Sequence, residues 1–218
     1  MIDTKKIFDF DKSLLNKDIK LIAGIDEVGR GPLAGPVVTA CVIMPYDEMI
    51  DGVFDSKKLS EKKRNILNQQ ILEKAIAVSI NKVEPEQIDK INILNATKQS
   101  MTASYQNLTI KPDLLLIDAV KLNICKNEQA IIKGDATSYA IACASIVAKV
   151  FRDNLMQEYD VNYPQYDFKH NVGYGTKKHT QAILDFGVTP IHRLSFLNKL
   201  LGAERCQQIS GQRKKQSN

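Results

Sequence analysis

The chain has 218 residues, of which 44% are hydrophobic and 25% charged, enough apolar content to bury a full core. Its net charge of +5 falls to +2 for residues 1–210 once Arg213, Lys214 and Lys215 are set aside, so affinity for nucleic acid has to come from local clusters. Four scattered cysteines exclude a disulfide scaffold, the apolar runs are far too short to span a bilayer, and the N-terminus Met1-Ile2-Asp3-Thr4-Lys5-Lys6 lacks the apolar stretch of a signal peptide, all of which points to a cytoplasmic protein.

Residues 1–19 read as an N-terminal extension. The first strand is predicted over 20–28, where Leu21, Ile22 and Ile25 lead into Gly24-Ile25-Asp26-Glu27-Val28-Gly29-Arg30-Gly31. A second follows over 35–44, too close for a long crossover, so the two should pair antiparallel. A helix over 60–74 opens at Ser60, a natural N-cap, with the cationic cluster Lys57, Lys58, Lys62, Lys63 and Arg64 at its start. That cluster reads either as a solvated helix face or as a phosphate contact. A strand at 76–83, a helix at 85–107 and strands at 113–118 and 129–132 come next. Long helical connections before the fourth strand suit parallel addition. Helices at 136–158, 176–187 and 192–201 complete a mixed α/β fold, a five-stranded sheet flanked by helices with a helical C-terminal region. Ala140, Ala142, Ala144, Ser145 and Ala148 should let the 136–158 helix pack closely on the sheet. A polar basic tail, 206–218, lacks from Gly211 onward the apolar residues needed to fold.

The acids fall at strand ends. Asp26 and Glu27 end an apolar run and are followed by a glycine-flanked arginine. Asp118 ends Leu114-Leu115-Leu116-Ile117, and Asp135 follows Ile131-Ile132-Lys133-Gly134. Functional groups gather at strand ends in α/β sheets, and carboxylates beside cationic, flexible backbone suit a hard-metal site facing an anionic substrate. The plainer readings are a charged turn for Asp26-Glu27 and a helix N-cap for Asp135. The histidines His170, His179 and His192 and the cysteines show no metal-ligand spacing.

In order along the chain stand Asp26-Glu27-Val28-Gly29-Arg30-Gly31, Asp55-Ser56-Lys57-Lys58-Leu59, Asp118-Ala119, Lys133-Gly134-Asp135, and the run from Ala144 to Asp153. Tyr163-Pro164, Gly173-Tyr174-Gly175-Thr176 and His192-Arg193-Leu194-Ser195-Phe196 follow. This ordered set resembles the bacterial ribonuclease HII pattern from about Leu21 to about Leu201, with no motif missing. The resemblance implies a ribonuclease H-like catalytic domain over 20–205. It also implies cleavage of RNA in RNA–DNA hybrids and, for this branch, at single ribonucleotides in duplex DNA, a task of ribonucleotide excision repair.

Four acids near one point repel one another, and divalent cations remove that penalty. Mg2+ or Mn2+ suits an all-oxygen site. Asp26, Glu27, Asp118 and Asp135 are expected to hold two ions about 4 Å apart, one activating the attacking water and the other stabilising the departing oxygen. One difficulty is geometric: neighbouring side chains on a regular strand face opposite ways, so Asp26 and Glu27 can both serve only if the strand is distorted or ends there. The resemblance assigns Gly29, Arg30 and Gly31 to reading the ribose 2′-hydroxyl through backbone groups, and Tyr174 to stacking on the junction sugar. Apart from it, Tyr174 would read as a turn aromatic packed on the C-terminal helices. The place of Lys57 beside a family motif favours phosphate contact.

Three other readings each meet a feature against them. Ribonuclease HIII carries a lysine in place of Arg30 and an extra N-terminal domain, for which the 23 residues before Gly24 are too few. A catalytically silent nucleic-acid binding module would be signalled by loss of an acid, and all four stand. A phosphate loop built on Gly29, Gly31 and Gly35 would need a helix where residues 36–44 read as a strand. After Gln207-Gln208 no aromatic pair offers a sliding-clamp anchor, and a monomer is expected.

Overall fold

The computed structural model describes residues 4–216, with side chains through Gln212. Its five strands are β1 (Ile22–Val28), β2 (Val37–Ile43), β3 (Ala77–Val83), β4 (Leu114–Asp118) and β5 (Glu128–Ile131), in the order β3-β2-β1-β4-β5. β1 pairs antiparallel with β2 and parallel with β4, and β4 pairs parallel with β5, as the connection lengths predict. The helices are α1 (Thr4–Leu14), α2 (Glu61–Lys74), α3 (Pro85–Ile91), α4 (Ile93–Gln106), α5 (Tyr139–Asn162), α6 (Phe168–Asn171), α7 (Lys177–Phe186), α8 (Asn198–Leu201) and α9 (Ala203–Gln216). No helix among the described residues is long and apolar enough to cross a membrane.

Contacts divide the chain into two units. The first comprises residues 1–28, 38–82 and 97–152. Its core has Ile22, Val38, Val42, Leu116, Tyr139 and Ile146 on one face of the sheet and Ile25, Cys41, Ile43, Met101 and Ile117 in a second cluster. β1 and α5 meet at backbone distance. A Cβ added at Gly24 would lie 2.1 Å from the Ala140 carbonyl carbon and 2.2 Å from the Ile141 nitrogen, so the small residues of α5 do serve close packing. The second unit comprises residues 29–37, 83–96 and 153–218. It is cored by Ala34, Met156, Tyr166, Phe168, Ile183 and Leu197, with Val37, Val83, Ile88 and Ala96 in a smaller cluster.

Several expected boundaries move for physical reasons. Residues 85–107 form two helices, because Asn92 takes a positive φ (65°) and ends α3. Residues 192–201 form a 3-10 turn, Leu194–Phe196, followed by α8. The composition of the tail predicts no folding from Gly211 on, yet α9 continues to Gln216; Cys206, buried in the second core, anchors that helix. The start of α2 agrees with its predicted cap, Ser60 Oγ accepting the Lys63 N–H at 3.3 Å.

The N-terminal segment contributes more than an extension. Ile7 and Phe8 of α1 enter the first core, and buried Asp11 accepts hydrogen bonds from Tyr46 Oη (2.9 Å), Ser138 Oγ (3.0 Å) and the Ala140 N–H (2.8 Å). Burial pushes the Asp11 carboxyl up to about 6. A folded-state value above the ordinary 3.8 means that the native fold favours the neutral acid. The contribution of Asp11 to stability is therefore greatest below pH 3.8 and is lost as pH rises through about 6. The difference in unfolding free energy between wild type and Asp11→Asn should change by about 3 kcal/mol across that window, the wild type losing ground as pH rises. Denaturant curves that keep a constant separation at every pH would count against this assignment.

Candidate active site

Carboxylate oxygens of Asp26, Glu27 and Asp118 all lie within 4.8 Å of one another. The strand neither ends at Asp26 nor breaks there, since β1 stays paired with β2 as far as Val28↔Val38. Its other partner is what stops: the last β1–β4 pair is Ile25↔Ile117. In that register Asp26 stands level with Asp118, the last residue of β4, and Glu27 is one residue past it. At that end of β4 the carboxylates of these two neighbouring residues come together with that of Asp118.

Two of the three acids are held by named groups. Asp26 is buried and accepts the Glu27 N–H at 2.7 Å and a hydrogen bond from Ser145. The Ser145 hydroxyl lies 2.9 Å from that of Ser56, so α5 and the Asp55-Ser56-Lys57-Lys58 turn both bear on Asp26. Burial, and then the charges of Glu27 and Asp118, raise the Asp26 carboxyl well above its ordinary range. Asp118 accepts the Gly134 N–H at 2.6 Å. A Cβ at Gly134 would sit 2.6 Å from Ile141 Cδ1 and 3.1 Å from Asp118 Oδ1, which explains the glycine between Lys133 and Asp135.

Asp135 stands outside the tight group of three. It lies in a 3-10 turn, Gly134–Ala136, and not at the start of α5. The Ile141 N–H is instead accepted by Ser138 Oγ at 3.3 Å, so the N-cap reading of Asp135 is overturned. Burial, Asp55 and Asp118 raise its carboxyl, and Lys57 lowers it. Asp135 therefore faces the same centre of negative charge from a step further away.

Lys57 is exposed in the 3-10 turn Ser56–Lys58, near enough to Asp135 to act on its charge. The rest of the basic cluster is not uniform. Arg64 donates to the Ser56 and Leu59 carbonyls at 3.1 and 2.7 Å, so it pins the turn. Lys58 lies over the Phe54 ring. The parts played by Asp55, Ser56 and Ser145 escape sequence reasoning. Their one signal is that all three fall inside motifs whose other members draw attention.

Gly29, Arg30, Gly31 and Tyr174 belong to the second unit. Gly29 is buried with φ 92°, while Arg30 and Gly31 are exposed. A Cβ at Gly31 would lie 3.5 Å from Tyr174 Cε1. Tyr174 is 48% exposed, which argues against a packed turn aromatic. The segment after Gly31 is β2, not a helix, so the phosphate-loop alternative falls. The histidines hold a surprise for sequence reading: His179 and His192, thirteen residues apart in sequence, are both buried with their Nε2 atoms 3.0 Å apart.

An all-oxygen set of crowded carboxylates, one buried with a raised pKa, fits a hard divalent cation, whose charge offsets the repulsion. The family model described as Ribonuclease HII matches residues 23–199. The chain is 54% identical over 192 residues to the ribonuclease HII of Enterococcus faecalis, covering 88% of this chain and 75% of that protein. To the ribonuclease HII of Listeria monocytogenes it is 50% identical over 196 residues, covering 90% and 75%. Among solved structures, the ribonuclease H2 of Pyrococcus horikoshii superposes with a TM-score of 0.71 at 25% identity, over 86% of this chain and 99% of that one. The PCNA:RNase HII complex from Archaeoglobus fulgidus gives 0.65 at 25% identity, over 79% and 93%.

Proposed function

Because the chain belongs to the ribonuclease HII family, we propose that it is a metal-dependent endoribonuclease that hydrolyses the RNA strand of RNA–DNA hybrids and nicks duplex DNA on the 5′ side of a single ribonucleotide. The observation that carries this reading is the convergence of Asp26, Glu27 and Asp118 at the end of β4. Asp26, Glu27 and Asp118, with Asp135 beside them, would hold Mg2+ or Mn2+. When bound, such ions neutralise the carboxylates, activate water and stabilise the departing oxygen of a phosphodiester. Ser145 orients Asp26, and the Gly134 N–H fixes Asp118, so these two ligands are set before the cation arrives. Lys57 supplies positive charge toward a phosphate.

Selectivity for ribose needs groups that can donate to and accept from a 2′-hydroxyl. The backbone of Gly29, Arg30 and Gly31, with a glycine on either side of Arg30, would let such a hydroxyl approach closely, and the exposed Tyr174 ring beside Gly31 offers a flat face to a sugar. We take 20–205 as the catalytic domain of a cytoplasmic monomer that docks without a clamp motif, working in ribonucleotide excision repair.

A DNA duplex carrying one ribonucleotide, incubated with Mg2+, Mn2+ or chelator and mapped at its ends, tests this directly. Metal-dependent nicking 5′ of the ribonucleotide should leave 3′-hydroxyl and 5′-phosphate ends. Cleavage that persists in chelator, or a cyclic phosphate formed by the 2′-hydroxyl itself, would remove the reading.

A further inference from the structure

The motif His192-Arg193-Leu194-Ser195-Phe196 stands apart from the carboxylate chemistry, yet its first two residues are wholly buried. The Arg193 guanidinium spends its donors on one short stretch of backbone. Nε and Nη2 donate to the Gly35 carbonyl at 2.9 and 2.7 Å, Nη2 also to the Gly29 carbonyl at 2.6 Å, and Nη1 to the Arg30 carbonyl at 3.1 Å. The Phe196 ring lies 5.2 Å beneath it.

These bonds fix which way the neighbouring amides point. In a trans peptide the carbonyl and the following N–H point opposite ways. With the Gly29 and Arg30 carbonyls both turned onto the guanidinium, the N–H groups of Arg30 and Gly31 are turned away from it. Those two residues are exposed, and their amides are aimed away from the buried guanidinium.

The histidine pair acts on Tyr174 in a similar manner. The Tyr174 carbonyl can only accept, so His179 Nδ1, 2.8 Å away, carries a proton. At the other end, the Thr189 N–H donates to His192 Nδ1 at 2.9 Å, so that nitrogen carries none. Neutral rings then leave one arrangement for the 3.0 Å contact between them: His192 Nε2–H donates to His179 Nε2. Burial favours the neutral form of His179. Tyr166 and Phe168 pack edge-on against the pair. The Gly173 carbonyl, one residue before Tyr174, accepts from the Leu33 and Ala34 N–H groups at 2.8 and 3.3 Å.

We propose that Arg193 and the His192–His179 pair are positioning residues that preset the two halves of the ribose-reading surface, the amides of Arg30 and Gly31 turned away from Arg193 and the backbone of Tyr174. The inference rests on the reading of that surface given under Proposed function. It concerns how binding selectivity arises, and none of the three side chains touches the substrate.

The test uses Arg193→Lys, which keeps the charge but not the planar fork, and His192→Phe, which keeps an aromatic ring against Tyr166 and Phe168 but removes the donor to His179. Binding is measured in Ca2+ to a duplex with one ribonucleotide and to its all-DNA counterpart, and the Arg30, Gly31 and Tyr174 amide signals are followed by NMR. Affinity for the all-DNA duplex should stay near wild type, while the preference for the ribonucleotide falls about tenfold, the scale of one lost hydrogen bond. The Arg30 and Gly31 signals should move in Arg193→Lys and the Tyr174 signal in His192→Phe. Unchanged preference with unmoved signals in both variants would overturn the proposal. If the signals move while wild type itself binds both duplexes equally, the positioning stands and the ribose-reading assignment fails.

Discussion

Asp118→Asn should lower turnover on a single-ribonucleotide duplex by about a thousandfold or more, the scale of a removed charge contact to the reacting atoms. Duplex affinity measured in Ca2+ should change little, because the groups expected to grip the backbone, Lys57 among them, lie outside the carboxylate cluster. The variant also removes one of three crowded negative charges. Its melting temperature without divalent metal should therefore match or exceed that of wild type. Asp135→Asn should lose only about ten- to a hundredfold, as for a residue that acts through another, since it lies outside the group of three and its carboxyl senses Asp118 and Asp55 at longer range. Wild-type rates for Asp118→Asn at saturating Mg2+ would end the assignment. A larger loss for Asp135→Asn than for Asp118→Asn would reverse the ranking of the two.

Much of this site is legible in the sequence because strand ends are legible. Apolar runs such as Leu114–Ile117 stop abruptly at an acid, and the five predicted strands agree with the observed ones to within two residues at each end. What the sequence hides is pairing. Nothing in Asp26-Glu27 says that β4 ends level with Asp26 while pairing with β2 continues to Val28, nor that both carboxylates reach Asp118. Helix starts are hidden for a related reason: Asp135 and Ser138 are both good caps, and only the left-handed Lys133 (φ 55°) and the turn after it decide for Ser138. α1 escapes sequence reading because its apolar residues are few and its charged ones many. The buried Asp11, an acid inside a core, is the kind of exception that composition argues against. The His179–His192 pair depends on α7 folding back onto the segment before Arg193, and a spacing of thirteen residues carries no trace of it.

Gly24→Ala should be the most damaging single substitution away from the carboxylates. Gly24 sits in the middle of β1, paired with Val42 on one side and Leu116 on the other, so the strand cannot slide to make room. The new methyl would meet the backbone of Ala140 and Ile141, at 2.1 to 2.4 Å, in the first turn of α5. Backbone cannot rotate aside as a flexible side chain can, and the start of α5 is further held by Asp11 on the Ala140 N–H. Overpacking of this kind costs about 3 kcal/mol or more, which for a chain of this size lowers the melting temperature by about 6–12 °C. Activity should fall as well, even at temperatures where the variant stays folded, because moving α5 outward carries Ser145 away from Asp26, two residues along β1 from the substitution. Ser145→Ala separates the two effects, since it removes the hydrogen bond without the clash. Should Gly24→Ala melt within about 2 °C of wild type, a shift worth less than about 1 kcal/mol, the close approach of β1 and α5 would be refuted.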